Sequence, residues 1–143
     1  MKMKVKEYKA CLVYGKQVGG LAETLIFYHP RDREKVNPKL IADLTCAAKV
    51  LGFKSITISS AVTGHRKYTS SGAISRHAKG NAVDVSQING LSVTHPVGKS
   101  MADKLVRFLL AKGYSFNVEN GHVKSVLWQS PGHYDHIHIS RID

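Results

Sequence analysis

Two short pieces of this chain concentrate residues that can do chemistry. One is Ser75-Arg76-His77-Ala78-Lys79-Gly80-Asn81-Ala82-Val83-Asp84, and the other is His133-Tyr134-Asp135-His136-Ile137-His138 near the C-terminus. Together they give a His-x6-Asp plus Asp-His-x-His pattern. Two imidazoles and one carboxylate are a common ligand set for a hydrolytic zinc, which keeps its fourth position for water. The pattern carries that chemistry only if the two pieces meet in space.

Local structure must therefore bring them together. Asn81 to Ile88 reads as a strand ended by Asn89-Gly90, with Ala82, Asp84 and Ser86 on one face and Val83 and Val85 on the other. Gly80 lets the chain turn sharply, so His77 can fold back beside Asp84. His136 to Ile142 reads as the last strand, with His136 and His138 on one face and Ile137 and Ile139 on the other. Imidazoles two apart on a strand can share one metal, or one can bind while its neighbour works on substrate.

The remaining elements are a scaffold. Asn37-Pro38 looks like an N-cap followed by proline at the first helical position, and Leu40, Ile41, Leu44, Ala47, Ala48 and Leu51 follow at helical spacing until Gly52. Ser55–Ser59 alternates as a strand, a second amphipathic helix covers about 100–112, and Val123–Gln129 is a further strand candidate. Residues 62–76 read as a Ser/Thr/Gly-rich loop, 29–34 as a polar loop, and 3–28 as one or two strands; 1–36 is the least legible part. Strands and helices mix without a regular βαβ rhythm. The expected class is α+β, with helices packed on a largely antiparallel sheet, in one domain spanning 1–143.

Composition narrows the partners. Lys and Arg number 21 against 10 Asp and Glu, a net charge of +11, which suits polyanions such as nucleic acid, anionic membrane surfaces or anionic wall polymers. No apolar run approaches a membrane span, and the basic N-terminus lacks a long enough apolar stretch for a signal peptide, so cytoplasmic synthesis without export is expected. Cys11 and Cys46 form no Cys-x-x-Cys pair and are expected to be reduced thiols. No catalytic Ser or Cys triad, P-loop or dinucleotide fingerprint is present.

Ser75-x-His77-x-x-Gly80-x-Ala82-x-Asp84 followed by Asp135-x-x-His138 resembles the zinc D-alanyl-D-alanine carboxypeptidase and L-alanyl-D-glutamate endopeptidase superfamily, over roughly residues 37–143. The resemblance implies the fold shared with the Hedgehog signalling domain, with a Zn2+ on the sheet face held by His77, Asp84 and His138. The acidic residue three before the last ligand is the general base in that group, often Glu; here it is Asp135. His136 is the rival, because the more distant lysostaphin-like branch uses a His-x-His pair beside the metal. Strand alternation sends Asp135 and His138 to opposite faces, so Asp135 can act only if it precedes the strand proper. Arg66 resembles the superfamily's substrate-facing arginine, a permanent cation suited to carboxylates.

The implied function is a peptidoglycan peptidase cleaving stem peptides that contain D-residues, with an endopeptidase favoured over a D-Ala-D-Ala carboxypeptidase. A wall-digesting enzyme without an export signal fits a phage endolysin that reaches the wall after release, its basic surface meeting anionic wall polymers. The alternatives are a zinc-stabilised, non-catalytic module of a phage tail or other assembly, and a basic nucleic-acid binder, which would leave the histidines unexplained.

Overall fold

The computed structural model describes residues 35–61 and 75–143 in full, and residues 26–27 as backbone. Arg66, His65 and the 29–34 loop lie outside the described residues, as does nearly all of the 3–28 region. The elements run β1 (Ile26–Phe27), α1 (Pro38–Leu51), β2 (Ile56–Ser60), β3 (Ala82–Ile88), β4 (Leu91–Ser92), α2 (Pro96–Ala111), β5 (Ser115–Phe116), β6 (Lys124–Leu127) and β7 (Ile137–Arg141).

Helix α1 forms where its sequence signals stand. The Asn37 side chain accepts from the Lys39 N–H at 2.9 Å, Pro38 opens the helix, and Gly52 closes it in the left-handed region at φ 73°. Helix α2 begins earlier than its apolar periodicity suggests. His95 caps it, with Nδ1 accepting from the Val97 N–H at 3.1 Å, and Pro96 takes the first position. Histidine is an uncommon cap, so this start is hidden in the pattern.

The described strands form one sheet in the order β1-β2-β3-β7-β6-β5, with β4 paired to β3. The β1–β2 and β5–β6 pairs are parallel and the other pairs antiparallel. The class is therefore α+β with a mostly antiparallel sheet, as expected. Strands β4 and β5 are two residues each, too short to leave a periodic signal.

Leu40 and Leu44 of α1 and Leu105 and Leu109 of α2 are buried in the same core as Val83, Val85, Ile137 and Ile139 of the central strands. Burying each such side chain contributes about 1.5–3 kcal/mol, so the register of β3 and β7 is strongly held. A slip by one residue would drive Asp84 and His138 into that core and expose the valines and isoleucines. The apolar face thus fixes which residues stand on the other face.

Cys46, on α1, is disulfide-bonded rather than reduced; cysteine spacing alone carries no information on pairing across a fold. A buried polar clasp also ties α1 to β7. Asp43 accepts from the Tyr114 hydroxyl at 2.6 Å and from Arg141 at 2.7 Å, with Lys112 Nζ at 3.5 Å. Among the described residues no helix is long and apolar enough to cross a membrane.

Candidate metal centre

Asp84 and His138 are direct cross-strand partners in the β3–β7 ladder, at the middle of the sheet. Opposed residues of an antiparallel pair hold their side chains on one face within contact range. This is how positions far apart in sequence come to share a site.

His77 arrives from the turn that precedes β3. Ser75 Oγ accepts from the His77 N–H at 3.1 Å, and the Gly80 N–H donates to the His77 carbonyl at 2.9 Å, which closes a compact turn. Gly80 sits at φ +76°, and a Cβ there would lie 1.8 Å from the carbonyl oxygen of Lys35. Only glycine fits both the backbone conformation and that close approach. The spacing Ser-x-His-x-x-Gly thus has a mechanical reason: the serine and glycine shape the turn that aims the imidazole.

Three atoms converge. His77 Nε2 lies 3.1 Å from His138 Nδ1 and 3.3 Å from Asp84 Oδ1, and His138 Nδ1 lies 3.2 Å from the same oxygen. A tetrahedral ion with bonds of about 2.0–2.1 Å requires its ligand atoms to be ~3.3 Å apart. All three residues are buried, and they form a group able to hold a metal ion.

The second nitrogen of each ring explains the convergence. His77 Nδ1 is 2.9 Å from the Ala61 carbonyl oxygen, so its hydrogen points there and Nε2 is the nitrogen that faces the centre. His138 Nε2 meets the Glu119 carboxylate, which leaves Nδ1 to face Asp84 and His77. A ligating imidazole characteristically has its other N–H held by a carbonyl or carboxylate in this way. The donor set fits a divalent cation of the zinc type, which accepts two imidazoles and a carboxylate.

Electrostatics agree with a site made for positive charge. Burial alone would raise Asp84, but hydrogen bonds with His138 and His77 outweigh it and hold the carboxyl well below the usual range. Burial alone would lower His138; contacts with Asp84 and Glu119 instead push it up to about 9. In the metal-free protein a proton on His138 serves as the cation that this cluster of acceptors demands.

The C-terminal piece supplies the surroundings. His136 immediately precedes β7 rather than lying on it, and its Nε2 is 3.8 Å from Asp84 Oδ1, beside the three converging atoms. Its Nδ1 is 2.7 Å from Asp135 Oδ1. Asp135 also lies ahead of the strand, but its side chain is 80% exposed and its carboxylate is engaged with His136. The His133 ring packs edge-on against both His136 and His138, at centroid distances of 5.1 and 5.7 Å. Burial pushes His133 below its ordinary range, while its Nδ1 bonds the Pro131 carbonyl at 3.1 Å.

Other polar side chains are committed elsewhere. Arg76 is committed to Ser140 Oγ at 3.1 Å and the Glu119 carbonyl at 2.8 Å. Trp128 packs in the core and donates to Asp103 at 2.8 Å. His122 bonds Ser115 Oγ at 2.8 Å. Glu119 and the Ala61 carbonyl were not legible in the sequence: the first lies in a short β5–β6 connection without a motif, and the second is backbone.

No protein-family model, curated protein or solved structure matches this chain.

Proposed function

We propose that the protein is a zinc-dependent peptidase acting on the stem peptides of peptidoglycan, of the endolysin kind. The observation that carries the hydrolytic part is the triangle of His77 Nε2, Asp84 Oδ1 and His138 Nδ1, with sides of 3.1–3.3 Å and a His136–Asp135 pair beside it. The choice of substrate rests on the resemblance of the two motifs to the D-Ala-D-Ala carboxypeptidase and L-alanyl-D-glutamate endopeptidase superfamily. The charge of +11 suits an anionic wall.

When bound, zinc supplies a Lewis acid that acidifies a water and polarises a peptide carbonyl. The chain's own residues divide the rest. The Asp135 carboxylate accepts the His136 Nδ1 hydrogen and so keeps Nε2 as the basic nitrogen turned toward the centre. His136 Nε2 takes the proton of the attacking water and delivers it to the leaving amine. This makes His136 the base and Asp135 its orienting group, which is the less favoured of the two sequence readings. Arg66 remains the candidate for the substrate's carboxylate or carbonyl on resemblance alone.

The test is direct. Incubating the protein and zinc with purified peptidoglycan should release new amino termini, and His77→Ala should abolish the release. A parent protein that binds one zinc yet releases none would remove the peptidase reading and leave a non-catalytic zinc module in its place.

A further inference from the structure

We propose that Glu119 is a positioning residue of the metal centre, the carboxylate that sets the orientation of His138 and selects Nδ1 as its ligand atom. This deepens the metal-centre part of the reading above and is independent of the substrate.

His138 can meet an ion in two ways. Its ring offers two nitrogens, and a side chain from the middle of a strand can rotate to present either one. Only Nδ1 is near both Asp84 and His77, at 3.2 and 3.1 Å. The Glu119 carboxylate occupies the Nε2 edge and holds that nitrogen in the donor role. A ring pinned at Nε2 has its remaining lone pair aimed at the metal position, and the negative charge behind it raises the basicity of that lone pair.

Glu119 is itself braced. Arg76 donates through Nη2 to the Glu119 carbonyl at 2.8 Å, places Nε 3.8 Å from Oε1, and donates through Nη1 to Ser140 Oγ at 3.1 Å. Arg76 adjoins the ligand His77 in sequence, and Ser140 lies two residues beyond the ligand His138 on the same face of β7. The brace therefore joins the ligand-bearing turn, the ligand-bearing strand and the β5–β6 connection. An arginine spent this way is a cost if the connection is mere surface, and it has a purpose if Glu119 must stay in place. Glu119 is itself half-buried.

The experiment compares zinc affinity in full-length parent, Glu119→Gln and Glu119→Ala proteins, by competition with a chromophoric chelator at fixed pH. Loss of a carboxylate behind a ligating histidine weakens metal binding by about 10–100-fold. Glu119→Ala should show that loss. Glu119→Gln, which keeps an acceptor oxygen of the same length, should recover part of it. Cobalt substitution adds a signature that a merely structural role would not move: the visible absorption of the bound ion should shift in Glu119→Ala and lie between the two in Glu119→Gln. The metal-free melting temperature should change little in the Gln variant.

Parental zinc affinity and cobalt spectrum in both variants, with zinc still bound by the parent, would overturn the role of Glu119 alone. A parent that binds neither zinc nor cobalt would overturn it together with the metal centre. If Glu119→Ala fails to fold, the Gln variant decides by the same two measurements.

Discussion

Two clusters of buried polar groups among the described residues differ in a way that says what each is for. One joins Asp43, Tyr114, Arg141 and Lys112; the other joins His77, Asp84, His138 and Glu119. In the first, donors meet acceptors: a hydroxyl, a guanidinium and an ammonium surround one carboxylate. Burial together with the Asp43 charge raises Tyr114 above its ordinary range, so the hydroxyl stays a donor. Such a cluster is complete in itself and works as a clasp between α1 and β7. In the second, three acceptor atoms face a single point from 3.1–3.3 Å apart, and only a shared proton relieves them. That cluster is one that a cation could complete. Similar residue types give a structural joint in one place and a group able to hold a cation in the other, because the count of donors differs.

The largest effect that can break this contrast is removal of a ligand. His77→Ala should lower bound zinc from about one equivalent to near none and should abolish any hydrolysis of peptidoglycan. Elemental analysis of the purified variant beside the parent measures the first. Undiminished zinc in the variant would mean that the converging atoms are not the site.

Next comes the pair beside the centre. His136→Ala should reduce peptidase activity by about 10²–10⁴-fold, the usual contribution of a positioned base, with zinc stoichiometry unchanged. Asp135→Asn should cost less, because it alters only the partner that orients the ring. The reverse order, with Asp135→Asn the more damaging, would restore Asp135 as the base.

The clasp gives a smaller and different response. Asp43→Ala leaves Arg141, Lys112 and the Tyr114 hydroxyl without their shared acceptor, and breaking one partner of a buried ion pair costs about 3–5 kcal/mol. Arg141 keeps its contact with Asp143 at 2.7 Å, so the lower end is expected. Denaturant unfolding should show this loss equally with and without zinc, and zinc stoichiometry should hold. A zinc-dependent loss would mean that the two clusters are coupled through β7.

The contrast also explains what the sequence could and could not say. The convergence of His77, Asp84 and His138 was legible because local rules place them: a turn built by Ser75 and Gly80, and two strands whose alternation puts valines and isoleucines inward. The α1 boundaries were legible from Asn37, Pro38 and Gly52. Glu119 was not, because nothing local links it to a histidine nineteen residues on; the β6–β7 pairing and a turn with Asn117 at φ 59° bring it there. The Asp43 clasp was equally hidden, since its members are 71 and 98 residues apart. The pairing of Cys46 has no local signal, since spacing between two cysteines says nothing about contact across a fold. The early start of α2 escaped because His95 caps it in place of the usual Ser, Thr, Asp or Asn.

The finest test uses pH, because the group of His77, Asp84 and His138 holds a proton that a bound ion would displace. His138 in the metal-free fold is raised from 6.5 to about 9. A raised folded-state value means that the protonated ring stabilises the metal-free fold fully below about pH 6.5, and that this support is lost as pH rises through about 9. Asp84 works in the opposite sense: its lowered value adds stability that is present above about pH 4 and lost on further acidification. Zinc replaces the His138 proton, so binding near pH 7.5 should release close to one proton from that ring. Affinity should then weaken about tenfold for each unit that pH falls below 9, roughly 1.4 kcal/mol per unit. Calorimetric titrations in two buffers of different ionisation enthalpy count the released proton directly. The melting-temperature gain from zinc should grow between pH 6 and 9 in the parent and keep the same slope in Asp43→Ala, whose lesion lies in the self-contained cluster. Affinity that stays flat across that range would show that no proton stands in for the ion, and the distinction between a closed clasp and an open cation site would fail.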